Sequence, residues 1–134
     1  MTEKVWFITG TSRGFGRVWA EAALARGDKV AATARDVKSL APLVDRYADR
    51  VAAIALDVTD RAAVFRAVAQ AQERFGRLDV AVNNAGYGLF GAIEEISEAN
   101  ARAQIDTNLF GALWVTQAVL PVMREQGSGH ILQH

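Results

Sequence analysis

The chain has 134 residues, of which 51% are hydrophobic and 22% charged, with fifteen Lys and Arg against fifteen Asp and Glu and no cysteine. That length suits one domain with a sizeable core. The balanced charge gives no overall field toward nucleic acid or an anionic membrane, and the missing thiols exclude disulfides and cysteine-based metal or nucleophile chemistry.

The first residues lead into only four strongly apolar positions, 5–8, too few for a signal-peptide core or a membrane span, so the cytoplasm is the expected compartment. Residues 4–9 read as a strand apolar on both faces, as in a central parallel strand covered on each side. Thr9-Gly10-Thr11-Ser12-Arg13-Gly14-Phe15-Gly16 follows, and then a segment of helical periodicity. A strand, a tight glycine turn and a helix N-terminus present unpaired backbone N–H groups and the positive end of a dipole, which attract phosphate. The glycines let the backbone come close to a diphosphate and the helix pack close to the strand. That helix carries Phe15, Val18, Trp19 and Ala22 at helical spacing on one face, and Gly27 stands where a C-terminal cap belongs. Residues 29–34 read as a second strand, with Arg35 and Asp36 at its C-terminal end.

Residues 37–47 predict a second helix, with Pro42 near its start or interrupting it, and residues 51–56 a third strand ending at Asp57-Val58. Thr59 is the expected N-cap of a helix that turns Val64, Phe65, Val68 and Phe75 inward and ends at Gly76. Residues 78–82 read as a fourth strand, running into Asn83-Asn84-Ala85-Gly86-Tyr87-Gly88. Ser97 is placed to cap one long helix over residues 99–125. Its apolar residues, among them Ile105, Leu109, Phe110, Leu113 and Trp114, cover one stripe for the sheet and another for a partner. Pro121 removes one hydrogen bond near its end. Gly127-Ser128-Gly129 break the helix, and residues 130–134 begin a fifth strand. The alternation of strand and helix with short links predicts a single α/β domain over residues 1–134, a Rossmann-like doubly wound parallel sheet.

Together these features resemble the short-chain dehydrogenase/reductase family along the whole chain. The stretch from Thr9 to Gly16 is similar to the family's TGxxxGxG cofactor turn, with Phe15 where a small aliphatic residue is more usual. The resemblance makes Gly10, Ser12, Arg13, Gly14, Phe15 and Gly16 cofactor contacts. Asp57-Val58 looks like the pair that contacts the adenine ring, the carboxylate accepting from the amino group and the Val58 N–H donating to a ring nitrogen. Asn83-Asn84-Ala85-Gly86 matches the NNAG motif that steadies the sheet and lines the nucleotide site. Asn108 matches the helix asparagine that helps hold a water of the family's proton relay. The implied reaction is hydride transfer between a nicotinamide and a carbonyl or secondary-alcohol carbon.

Arg35 bears on the cofactor. NAD-binding versions of this architecture hold the ribose 2′-hydroxyl with an acid at the end of the second strand, whereas NADP-binding ones place Arg nearby for the 2′-phosphate. Arg35 stands there, with Arg13 as a second cation, so NADP(H) is expected over NAD(H). Asp36 competes, as an acceptor for a ribose hydroxyl if Arg35 turns to solvent.

The family's acid/base is a Tyr whose pKa is lowered by a Lys four residues on, beside a Ser that orients the substrate. Here Tyr47 and Tyr87 are followed at that spacing by Val51 and Gly91, and the lysines are Lys4, Lys29 and Lys38. Asn108 alone represents the catalytic group. The chain thus reads as the cofactor-binding half of a short-chain oxidoreductase, incomplete relative to the family and inactive alone. A non-catalytic dinucleotide-binding protein and a self-associating fragment are the other readings. His130 and His134 on a strand would stand roughly 13 Å apart, so no metal site is expected. Ser12 lacks an activating base, and Tyr87 reads as a lining residue beside the nicotinamide. A fifth strand at an exposed sheet edge, or the 99–125 helix, predicts a homo-oligomer, with no nucleic-acid or membrane partner.

Overall fold

Backbone pairing follows the alternation of the sequence. In a computed structural model, which describes residues 3–134, five strands form one sheet: β1 Val5–Ile8, β2 Lys29–Ala34, β3 Val51–Ala55, β4 Val80–Asn83 and β5 His130–Gln133. All pairings are parallel, in the order β3-β2-β1-β4-β5. From β1 the chain winds outward through β2 and β3, then returns to lay β4 and β5 on the other side. That reversal puts the topological switch point between β1 and β4, where ligands bind at the carboxyl ends of the strands.

Side chains alternate across the sheet. Val5 and Phe7 of β1 face one layer and Ile8 the other, all essentially inaccessible. Helices α3 (Arg61–Phe75) and α5 (Ala112–Gln126) cover the first face through Val64, Val68, Val115 and Val119. Helices α1 (Gly14–Ala25) and α2 (Ala41–Tyr47) cover the second through Ala20, Leu24 and Leu43. Each buried Val, Leu or Phe contributes about 1.5–3 kcal/mol of burial free energy. Cover on both faces explains why the strands are apolar on both sides.

Several local expectations need correction. The buried face of α1 is Gly16, Ala20, Ala23 and Leu24, while Phe15 and Val18 are 61% and 58% exposed and Ala22 faces solvent. Small residues win because Gly16 lies directly against the Gly10 carbonyl, where any Cβ would collide. The N-cap of α3 is Asp60, whose carboxylate accepts from the Ala63 N–H at 3.1 Å, and not Thr59. Phe65 lies outside, under the Arg61 guanidinium at 4.5 Å, and Phe75 is only partly covered. Residues 37–47 divide into a 3₁₀ turn, Val37–Leu40, and α2, with Pro42 in the first turn of α2 where its missing N–H costs nothing.

The predicted 99–125 helix is also divided. It comprises α4 (Glu98–Ile105), a π-helical segment Asp106–Gly111, and α5, which continues through Pro121 to Gln126. Ser97 caps α4 as expected, accepting from the Asn100 N–H at 3.1 Å. Gly76 and Gly127 close α3 and α5 in the left-handed conformation.

Candidate functional site

The glycine turn is stitched to the strands on both sides of it. The Thr9 N–H donates to the Val82 carbonyl at 3.2 Å. The Thr9 hydroxyl oxygen accepts from the backbone N–H groups of Asn84 and Ala85 at 3.0 and 2.9 Å. The Asn84 side chain donates back to the carbonyls of Thr9 and Gly10 at 3.2 and 3.0 Å. On the other side, the N–H and hydroxyl of Thr11 both donate to the Thr33 carbonyl, at 3.0 and 2.9 Å. The turn after β1 is thereby tied to the carboxyl end of β2 and to the turn after β4. Gly10 and Gly14 hold φ of +67° and +66°, which other residues rarely adopt.

Above this edge opens a cleft of about 1120 Å³. Gly10, Ser12, Arg13, Gly14 and Phe15 line its middle, Arg35, Asp57 and Val58 line the β2–β3 end, and Asn83, Ala85, Gly86 and Asn108 the β4 end. Of the expected cofactor contacts, Gly16 alone does not line the cleft. It is buried beneath, where a Cβ would stand 2.5 Å from the Asn84 amide nitrogen.

Arg13 in the glycine turn and Arg35 at the β2 end are exposed, and among the described residues neither has an ion-pair partner. Asp36 does not line the cleft; its carboxylate caps the following turn by accepting from the Lys38 N–H at 3.0 Å. Asp57 Oδ1 accepts from the N–H and hydroxyl of Thr59 at 3.0 and 2.8 Å, so this carboxylate also shapes its own turn.

At the β4 end, Asn83 is 5% exposed. Its Nδ2 donates to the Thr116 hydroxyl at 3.3 Å, and that hydroxyl donates to the Ala112 carbonyl at 2.8 Å. Its Oδ1 is buried with no partner among the described residues, a state that costs about 1–3 kcal/mol. Asn108 sits in the π segment, a feature frequent at functional sites. Its side chain clamps the Tyr87 backbone, Oδ1 accepting from the N–H at 2.9 Å and Nδ2 donating to the carbonyl at 2.7 Å. The side-chain amide of Asn108 is therefore committed to the loop that carries Tyr87.

Sequence reasoning missed the supporting shell. Thr9 opened the glycine turn and carried a visible signal, a hydroxyl at the end of a buried strand. Gln133 and His134 gave none, because only the sheet order brings them to the cleft, and neither did Thr116, which meets Asn83 from α5. Left-handed glycines, two unpaired guanidinium groups and an orphaned buried amide fit an elongated phosphate-bearing ligand. Among the described residues no group of three or more His, Asp or Glu could hold a metal ion, and no helix is long and apolar enough to cross a membrane.

The sequence profile of the family described as short chain dehydrogenase matches residues 4–133. Oxidoreductase BOA17 of Botryotinia fuckeliana is 51% identical over 131 residues, 97% of this chain and 48% of the relative. A crystal structure of a short-chain dehydrogenase from Streptomyces avermitilis superposes with a TM-score of 0.95 at 47% identity, covering 99% of this chain and 49% of that one. Among other solved structures, the alcohol dehydrogenase of Thermococcus sibiricus, complexed with 5-hydroxy-NADP, reaches 0.92 at 34% identity over 98% of this chain and 57% of its own. The 3-ketoacyl-(acyl-carrier-protein) reductase of Brucella melitensis, complexed with NADH, reaches 0.92 at 30% identity over 97% and 56%. The chain spans about half the length of the curated relatives it matches.

Proposed function

The chain belongs to the short-chain dehydrogenase family and carries its dinucleotide-binding fold, and from that premise we propose that it is the cofactor-binding part of an NADP(H)-dependent oxidoreductase. The reaction is hydride transfer between the nicotinamide and a carbonyl or secondary-alcohol carbon. The observation that carries the cofactor choice is the end of β2. Arg35 lines the cleft unpaired, while the adjacent Asp36 is held in its own cap and away from it. A 2′-phosphate there meets a cation, and a 2′-hydroxyl finds no carboxylate on that strand end.

The other residues have roles consistent with this reading. The N–H groups at the start of α1 receive the diphosphate, Asp57 and Val58 receive the adenine, and the orphaned Asn83 Oδ1 accepts a donor at the cleft's β4 end. A bound nicotinamide supplies the hydride. Neither Tyr47 nor Tyr87 has Lys four residues on, so this chain alone binds nucleotide without turning over. The oxidoreductase names of its relatives favour this reading over a purely non-catalytic binder. The exposed stripe on α4 and α5 supports a homo-oligomer.

Calorimetric titration tests the cofactor choice. The wild-type chain should bind NADPH at least tenfold more tightly than NADH, the effect of about 1.5 kcal/mol from a charge-assisted contact, and Arg35→Ala should erase that preference. Equal affinity for both in the wild-type chain would overturn it. Reproducible NADPH oxidation by this chain with a panel of ketones and aldehydes would overturn the lack of turnover.

A further inference from the structure

Three rings meet where the cleft leaves the glycine turn on the side of β5. Phe15 and Trp19, one helical turn apart on α1, stack with centroids 5.6 Å apart and planes within 16°. His134, directly after β5, sets its ring edgewise to both, 5.3 Å from Phe15 and 5.1 Å from Trp19, at 70° and 85°. Phe15 and His134 line the cleft and Trp19 does not. Trp19 is instead packed against the core layer beneath α1. Phe15 remains 61% exposed even with both neighbours in place. An exposed Phe on a helix ordinarily keeps its rotamer freedom, and fixing it costs entropy. Two aromatic contacts of about 0.5–1.5 kcal/mol each offset that cost, so this ring is held still while much of its surface stays open.

The position of the ring gives the restraint a purpose. Arg35, Asp57 and Val58 mark the adenosine end of the cleft, and the glycine turn marks the diphosphate. The remaining half of a dinucleotide then runs toward Phe15, Tyr87, Gln133 and His134. Resting on the dinucleotide reading above, the geometry points to Trp19 and His134 as positioning residues that lock Phe15 as a preset aromatic wall for the nicotinamide ring. Phe15 makes the contact. Trp19 and His134 act through it, Trp19 from the core side and His134 from the sheet. An aliphatic side chain at position 15 would need no such support, and the buttress accompanies the larger ring.

Titration with two probes tests this. NADPH spans both ends of the cleft, whereas 2′,5′-ADP occupies only the adenosine end. Phe15→Leu, Trp19→Leu and His134→Ala should each weaken NADPH by about three- to tenfold, the range of one lost aromatic contact, and leave the 2′,5′-ADP affinity unchanged. Trp19→Phe, which keeps a stacking ring, should recover most of the NADPH affinity. The unchanged 2′,5′-ADP affinity also reports that each variant is folded. Trp19→Leu that binds NADPH like the wild type, or that weakens both probes by the same factor, overturns the buttress. A wild-type chain that binds 2′,5′-ADP as tightly as NADPH also overturns it, because the second ring then makes no contact. Failure of the wild-type chain to bind either probe overturns the dinucleotide reading and this inference with it.

Discussion

Asp79 is a buried carboxylate at the end of the sheet away from the cleft. Its Oδ2 accepts from the Val5 N–H at 2.9 Å, and Arg77 Nε donates to its two oxygens at 2.9 and 3.0 Å. Its own N–H donates to the Val5 carbonyl at 2.8 Å, so one residue registers the start of β1 beside β4. Burial pushes the Asp79 carboxyl up. The Arg77 hydrogen bond, the Val5 N–H and the charges of Arg77 and Lys4 together outweigh burial and leave it below its ordinary value. A depressed folded pKa means stability that is present above the unfolded value, about 3.9, and lost as pH falls through the folded one. Asp79→Ala leaves the N–H of Val5, itself 2% exposed, without that acceptor and should cost about 1–3 kcal/mol at neutral pH. In urea unfolding the gap between wild type and variant should hold above about pH 5 and narrow toward about pH 3. A gap independent of pH would show that the carboxylate charge contributes nothing.

At the scale of elements, the π segment ties the helix layer to the cleft. Gly111 closes it, and a Cβ there would stand 2.6 Å from Val58 Cγ2 and 3.0 Å from Val58 Cβ. Gly111→Ala improves helix propensity by about 1 kcal/mol, but the contact forces Val58 or the start of α5 to move, and overpacking of this kind costs about 1–3 kcal/mol. The variant should melt a few degrees lower and bind nucleotide more weakly through the displaced Val58. A raised Tm in calorimetry would refute the close approach. The order of strands and helices was legible from sequence because parallel strands covered on both faces must be apolar throughout, and because Gly76 and Gly127 end helices by a local rule. The π segment was not legible. Ile105, Leu109 and Leu113 keep their four-residue spacing whether or not the helix widens between them. The inner face of α1 misled for a different reason: the largest side chains mark one face, while the contact of Gly16 with Gly10 and Asn84 fixes another. Thr59 and Asp60 are adjacent residues of similar capping chemistry, and only the turn geometry separates them. At the site, the glycine turn and the Asn83–Gly86 stretch could be read from residue types in order. The partners of Asn83, and the meeting of His134 with Phe15, depend on sheet order and could not.

At the scale of the whole molecule, the outer side of α4, the π segment and α5 carries exposed apolar side chains. One face of α5 is buried through Val115, Val119 and Val122, yet Ile105, Leu109, Phe110 and Leu113 remain exposed on the outside. Beside them Phe110 stacks on Trp114 at 5.7 Å, and the Arg61 guanidinium sits over both Trp114 and Phe65, at 5.3 and 4.5 Å. Contiguous apolar surface of this kind marks an interaction site, and aromatic and Arg side chains are the types enriched at interfaces. The edge of β5 offers a competing route, but it is four residues long and exposes Leu132 alone among large apolar side chains, a short ladder on which to hold two chains. The helix face is therefore the stronger route to self-association. Sedimentation of the wild-type chain should give a mass above the 14.5 kDa of one copy. Leu109→Asp combined with Leu113→Asp should return it to one copy without loss of helical circular dichroism. An unchanged mass in that double variant moves the contact to the β5 edge. A wild-type chain that sediments as one copy at every concentration removes self-association altogether, and the stripe then remains apolar surface with no second copy to bury it.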